Sequence, residues 1–310
     1  MTTQVLLLIS GLILLIGGSN YLLKSAVGLS VKLKLSKVVI GLTVVSFATS
    51  APELLISISS ALKGSADIAI SNVIGSNIAN IGLVLGSALC FTRIKIPKSN
   101  MVYDWTFLMI SSFIFYFFLL DFNVSREEGI ILFVGLISFL FLNVKIRKDY
   151  NYEESINHVG LSNLNILIYI FLSSLVLYVG SELFVNSSIY FAKYFGVSER
   201  VIGLTLVAIG TSLPELVTTL VAIHKSELDI SIGNIIGSNI FNILAVIGIT
   251  SIITDLNILS EGILDFDIYV MILFSFVLLV FYLSTKSKLL NTCHGIIYLL
   301  CFIAYYIYVI

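Results

Sequence analysis

Two segments of this chain, 162 residues apart, carry the same uncommon residue pattern. VIGLTVVSFATSAPEL, Val39 to Leu54, aligns without a gap on VIGLTLVAIGTSLPEL, Val201 to Leu216. DIAISNVIGSNIANI, Asp67 to Ile81, aligns at the same offset on DISIGNIIGSNIFNI, Asp229 to Ile243. Between Ser36–Gly86 and Ser198–Gly248, 26 of 51 positions are identical. Unrelated apolar helices share leucine and isoleucine through composition alone. They do not share Thr-Ser-x-Pro-Glu and Asn-x-x-Gly-Ser-Asn-Ile-x-Asn at one constant offset, so the chain is an internal duplication.

The duplicated segments belong to membrane helices. Ile68 to Thr92 and Ile230 to Thr254 hold no charged residue, and each is long enough to cross about 30 Å of hydrocarbon. The 310 residues are 58% hydrophobic and 11% charged, with a mean hydropathy of +1.07, which excludes an ordinary soluble domain. No basic run suggests nucleic acid, and Cys90, Cys293 and Cys301 match no metal or redox spacing. The N-terminus has neither a basic leader nor a small-residue cleavage site, so Val5 to Leu23 is expected to be a retained first span.

The hydropathy pattern predicts an all-α polytopic membrane protein with ten transmembrane helices. They run over 4–23, 38–62, 68–92, 103–120, 126–146, 163–185, 200–224, 229–254, 266–284 and 291–310. The polar stretch Lys145 to Gly160 divides them into two repeats of five, 1–150 and 151–310, which together form one transport domain. Five is odd, so the second repeat must enter the membrane upside-down relative to the first. Inverted repeats are a mark of secondary transporters that alternate access around a midplane site. Lysine and arginine divide 13 to 4 in favour of the side facing away from the N-terminus, which predicts both termini outside the cytoplasm of a plasma or inner membrane.

Each repeat then breaks its own helix. Pro52 removes a backbone donor, and its ring clashes with the carbonyl one turn earlier, so the helix is expected to open near Ser46 to Thr49. Irregular backbone at membrane depth is tolerated where it lines a cavity or binds something. Thr49, Ser50 and Glu53 lie within about one turn of one another, and Thr211, Ser212 and Glu215 repeat them beside Pro214. Asn72, Ser76, Asn77 and Asn80 form a polar stripe on the next span, repeated by Asn234, Ser238, Asn239 and Asn242. For Asn72 and Asn234, ligation and packing are equally open. Ser57, Ser59 and Ser60 read as packing residues, and Glu182, which aligns with Asn20, is expected at an aqueous edge. His158, His224 and His294 have no chemical partner in sequence.

Together these residues offer carboxylate, hydroxyl, amide and carbonyl oxygen, with no sulfur or imidazole. That set selects hard cations such as Ca²⁺ or Na⁺ over zinc, copper or iron. Two buried carboxylates without a counter-charge are unfavourable, so the site should always hold Ca²⁺, several Na⁺ or protons. Such a requirement suits obligatory exchange better than leak.

The paired Thr-Ser-x-Pro-Glu and Gly-Ser-Asn-Ile segments resemble the α-repeats of the cation/Ca²⁺ exchanger superfamily, most nearly its prokaryotic Na⁺/Ca²⁺ antiporters. The resemblance implies an antiporter whose transported ions, rather than any cofactor, occupy the site, and whose partners are Ca²⁺, Na⁺ and the bilayer, with no nucleic acid or partner protein. It implies central Ca²⁺ ligands at Glu53 and Glu215 with the carbonyls of Thr49 and Thr211. It places Na⁺ positions at Ser46, Thr49, Ser50 and Ser76, and at Ala208, Thr211, Ser212 and Ser238. Asn80 and Asn242 take the remaining central positions, and some relatives carry an aspartate at that of Asn242. It also implies about three Na⁺ per Ca²⁺, and a first and sixth span that slide past a fixed eight-helix core. The competing readings are a Ca²⁺/H⁺ or other cation antiporter and a passive cation channel. An intramembrane enzyme is disfavoured, because no His-Glu-x-x-His or comparable motif is present.

Overall fold

The computed structural model describes residues 1–98, 100–147, 162–196, 208–260 and 262–309. Lys148, His158, Arg200, Glu261, most of the polar stretch between the repeats and the beginning of the seventh span lie outside the described residues. So does the side chain of Ala208.

The described chain is nearly all helix. The helices are α1 (Thr2–Leu33), α2 (Lys37–Thr49), α3 (Ala51–Leu62), α4 (Ala66–Phe91), α5 (Met101–Leu119), α6 (Arg126–Arg147) and α7 (Asn163–Tyr194). They continue with α8 (Ala208–Thr211), α9 (Leu213–His224), α10 (Leu228–Ile253), α11 (Ile263–Ser284) and α12 (Thr292–Val309). Among the described residues, eight helices are long and apolar enough to cross a membrane. A ninth is counted if α2 and α3, bent by 44°, are one span.

Local chemistry sets the helix ends. Ser36 caps α2 by accepting from the Val39 N–H. At α6, Glu128 reaches back to the Ser125 N–H at 2.8 Å while Ser125 Oγ accepts from the Glu128 N–H, a reciprocal cap. Gly64 and Gly196, at φ 77° and 80°, follow α3 and α7 in the left-handed region where a Cβ would be strained.

Two helices form the centre. In α10 every residue from Ile230 to Gly248 is buried, and α4, its sequence counterpart, is buried over most of its length. A helix buried all round can carry apolar and polar faces only if both find partners inside the protein. The backbones approach closely where side chains vanish. A Cβ on Gly233 would lie 3.1 Å from Gly41 Cα, and one on Gly41 would lie 2.7 Å from the Ile230 carbonyl oxygen. Small residues at such crossings are what membrane helices use to pack.

The long helices α1 and α7 pair with each other outside this centre. A Cβ on Gly11 would stand 2.8 Å from the Gly180 oxygen, and one on Gly180 would stand 3.0 Å from the Leu15 nitrogen. Both helices run well past the predicted 4–23 and 163–185. The apolar criterion ends at Lys24 and near Val185, whereas backbone hydrogen bonding carries the helices on through Ser25, Ala26 and Asn186.

Two two-residue ladders complete the fold. Strand β1 (Ile94–Lys95), after α4, pairs antiparallel with β4 (Leu289–Leu290), before α12. Strand β2 (Asn123–Val124), after α5, pairs antiparallel with β3 (Leu256–Asn257), after α10. The ladders therefore sit at opposite ends of α5, and each joins the first half of the chain to the second.

Candidate cation site

The helix does not open at Ser46–Thr49 as the sequence suggests. Ser46 to Thr49 is helical, preceded by one wide π-type turn over Gly41–Val45, and the break falls on Ser50 at φ −87°, ψ 5°. Pro52 is the second residue of α3, where a missing N–H costs nothing because the first-turn donors have no helical acceptor. The chain bends before the proline instead. Ser212 repeats the break at φ −86°, ψ 4°, with Pro214 second in α9. The break also starts a helix at each carboxylate. Glu53 and Glu215 lie in the first turns of α3 and α9, where the N-terminal end of a helix favours negative charge.

Both carboxylates are fully buried and close enough for each to act on the other. Their hydrogen bonds cross between the repeats. Ser50 Oγ, beside the first break, donates to Glu215 Oε1 at 3.0 Å. The hydroxyls of Thr49 and Ser238 also lie beside Glu215. Ser76 Oγ lies 3.5 Å from Glu53 Oε1 and 3.2 Å from Thr211 Oγ1, while Thr49 Oγ1 lies 3.4 Å from Ser238 Oγ. Ser46 Oγ donates to the carbonyls of Gly41, at 2.8 Å, and Asn234, at 3.1 Å. Ala208 opens α8.

Below the carboxylates the two asparagine stripes interlock. Asn77 Nδ2 donates to the Asn239 carbonyl at 3.2 Å, and Asn239 Nδ2 donates back to the Asn77 carbonyl at 3.4 Å. Asn242 Nδ2 donates to Asn77 Oδ1 at 3.1 Å. Asn72 and Asn234 brace the breaks. Asn72 Nδ2 donates to the Glu53 carbonyl and to Ser57 Oγ, and Asn234 Oδ1 accepts from Thr49 at 3.2 Å. Both asparagines are thus hydrogen-bonded to residues that flank the first break. Asn77 and Asn239 are more central than sequence reasoning made them. Their signal was available, because the same asparagine recurs in both copies of a span that holds no charged residue.

Several fully enclosed oxygens have no hydrogen-bond partner among the described residues. They are Glu53 Oε2, Glu215 Oε2, Asn80 Oδ1, Asn242 Oδ1 and Ser212 Oγ, from both repeats. Buried polar atoms are nearly always satisfied. An enclosed group of hard oxygens, two of them carboxylate, is chemically suited to a dehydrated Na⁺ or Ca²⁺. Cys90, Cys293 and Cys301 are exposed on the outer surface, and His224 lies at the far end of α9.

A core of two paired central helices flanked by broken helices, with buried carboxylates between them, defines an ion-transport fold rather than an enzyme cleft. The chain belongs to the sodium/calcium exchanger protein family, which it matches over residues 3–145 and 165–310. It is 34% identical to CaxA of Alkalimonas amylolytica, covering 98% of each chain. It is 32% identical to the sodium/calcium exchanger MaX1 of Methanosarcina acetivorans, covering 98% of this chain and 97% of that one. The solved structure of the sodium-calcium exchanger NCX_Mj, soaked with Na⁺ and Ca²⁺, superimposes with a TM-score of 0.81 at 31% identity, covering 97% of both chains.

Proposed function

We propose that this chain is a secondary antiporter that moves Ca²⁺ against Na⁺ across the membrane by alternating access, and that the exchange is electrogenic. The observation that carries this reading is the enclosed pair Glu53 and Glu215 with their unpartnered oxygens. In this reading the two carboxylates balance one Ca²⁺, which Na⁺ ions displace. Thr49, Ser50, Ser46 and Ser76, with Thr211, Ser212, Ser238 and Ala208, supply the flanking positions, and Asn80 and Asn242 the remaining central ones. A bound cation relieves the repulsion between the carboxylates, so the protein has reason to change access only when loaded.

The topology we propose is ten spans in two inverted repeats, 1–150 and 151–310, in a plasma or inner membrane with both termini outside the cytoplasm. The ladders support the inversion. Strand β1 follows α4 at one end of α5, and β3 follows α10, the counterpart of α4, at the other end. The two long central helices therefore run in opposite directions. Membership of the sodium/calcium exchanger family and the match to NCX_Mj support the choice of ions.

The test is Ca²⁺ uptake into liposomes holding only the purified chain. A Na⁺ gradient should drive uptake and generate a membrane potential. Uptake driven by a pH gradient but not by Na⁺ would assign the chain to Ca²⁺/H⁺ antiport instead. Ca²⁺ flux with no counter-ion would assign it to a channel.

A further inference from the structure

The exchange reading leaves Glu182 without a role. This third carboxylate sits on α7, 12 residues before its end at Tyr194, which is about 18 Å along the helix axis. It lies exposed about one turn inside the expected end of the span at 185, and a carboxylate there is kept where it meets water or an ion. Its surroundings are polar along one line only. Tyr178, Glu182, Asn186 and Tyr190 follow at intervals of four, so they form one stripe climbing toward the end of α7. Asn186 Nδ2 donates to Glu182 Oε2 at 3.3 Å.

At its deep end the stripe meets a crevice. A cavity of about 60 Å³ is lined by Pro52, Tyr178, Ser181, Glu182, Gly210 and Thr211. Holding one water takes about 10–15 Å³ of such space, so the crevice has room for water-sized guests. The crevice reaches the second helix break directly, and Ser181 Oγ donates to the Gly210 carbonyl at 2.7 Å. From Thr211 the hydroxyl contacts continue to Ser76 at 3.2 Å and from Ser76 to Glu53 at 3.5 Å. Hydroxyls thus lead from the crevice at Glu182 to the buried carboxylate.

The duplicate of this line has no carboxylate. At an offset of 162, Tyr178, Glu182, Asn186 and Tyr190 align with Ile16, Asn20, Lys24 and Gly28 on α1. Asn20 turns its amide onto its own helix, donating to the Ile16 carbonyl at 2.8 Å. Where one copy presents a carboxylate and an amide, the other presents an amide and an ammonium.

We propose that Glu182 captures the incoming hard cation, Na⁺ or Ca²⁺, on the face where α7 ends, and that the α1 route lacks this device. The exchanger is then electrostatically one-sided although its central site is nearly symmetric. This inference rests on the exchange reading and adds the access route. Glu182 acts on arrival and is not a ligand of the final site.

The experiment uses sealed vesicles of both orientations, with Na⁺ or Ca²⁺ supplied to one face at a time at low ionic strength. Glu182→Gln should raise the half-saturating concentration by about tenfold on the α7 face, within the range of electrostatic steering, and leave the α1 face unchanged. Added inert salt should shrink the difference, because an exposed charge is screened within about 10 Å at 0.1 M. Glu182→Asp should retain most of the wild-type affinity. In a background lacking Cys90, Cys293 and Cys301, Glu182→Cys should recover with an anionic thiol reagent and not with a cationic one. Equal shifts on both faces, or no shift, overturn the inference. Recovery with both reagents also overturns it, since shape rather than charge would then be at work. Absence of Na⁺-driven Ca²⁺ flux in the unmodified protein would instead sink the exchange reading. In that case, Ca²⁺ binding rates of the wild type and Glu182→Gln, measured at low and high salt, decide the capture role alone: equal rates overturn it.

Discussion

Ser50 Oγ and Glu215 Oε1 lie 3.0 Å apart although 165 residues separate them in the chain. The hydroxyl at one helix break serves the carboxylate at the other. A hydroxyl that donates its proton to a carboxylate keeps its lone pairs free, so Ser50 can hold Glu215 and still face a cation.

The carboxylates come first among the predictions. Glu53→Gln and Glu215→Gln preserve shape and remove one negative charge each. A buried charge left without its partner costs on the order of 3–5 kcal/mol. Each variant should lose about a hundred-fold or more of Na⁺-driven Ca²⁺ flux in liposomes. Flux within a few-fold of wild type would show that the carboxylates do not hold the transported ion.

The two serines at the breaks should separate affinity from stability. A hydrogen bond to a charged group contributes about 1.5–3 kcal/mol. Ser50→Ala should therefore lower both the melting temperature and the apparent Na⁺ affinity. Ser212 Oγ has no partner among the described residues, so Ser212→Ala should weaken ion binding with little change in melting temperature. Thermal scans with and without Na⁺ compare the two. Identical losses in both variants would contradict the asymmetry.

Asn242→Asp adds a third carboxylate to the centre. The amide of Asn242 now donates to Asn77 Oδ1 at 3.1 Å, and an ionised aspartate would face that oxygen without a donor. The variant must bind a proton or a further cation to fold without penalty. A protonated carboxyl is a poor cation ligand, and it ionises as pH rises. Flux through the variant should therefore rise with pH more steeply than that of wild type, and Na⁺ per Ca²⁺ should change. Parallel pH profiles and equal reversal potentials would rule this out.

Gly75 and Gly237 occupy the same place in the two repeats but not the same space. A Cβ at Gly237 would stand 2.3 Å from Ser46 Oγ and 2.6 Å from the Leu42 carbonyl, whereas one at Gly75 meets nothing within 4 Å. Gly237→Ala should destabilise by about 1–3 kcal/mol through overpacking. Gly75→Ala should be neutral or stabilising by up to about 1 kcal/mol through helix propensity. Melting temperatures of the purified variants in detergent check the contrast, which fails if both move together.

Much of the fold was legible because the membrane removes choices. The charge-free runs around Asn77 and Asn239 had to be helices, and the shared Pro-Glu pairs had to mark breaks. The location of the break was not legible. Proline's covalent rule says which donor is missing, but not whether the chain yields before or after it, and both repeats yield two residues before it, at Ser50 and Ser212. The reach of α1 and α7 was hidden for a related reason. Hydropathy sees the lipid boundary at Lys24, and hydrogen bonding continues past it. The asparagine lock between Asn77 and Asn239 is a long-range pairing that periodicity on one helix cannot reveal.

The ladders Ile94–Lys95 with Leu289–Leu290 and Asn123–Val124 with Leu256–Asn257 set a limit on how such a machine can move. They act as rivets at both rims of the protein, each driven through both halves. Swinging one half against the other would shear a rivet at every stroke. Neither passes through α1 or α7, which touch each other at Gly11 and Gly180 backbone to backbone. Hydroxyl contacts, Ser19 with Thr218 at 2.9 Å and Ser181 with the Gly210 carbonyl at 2.7 Å, tie that pair of rods to the riveted frame.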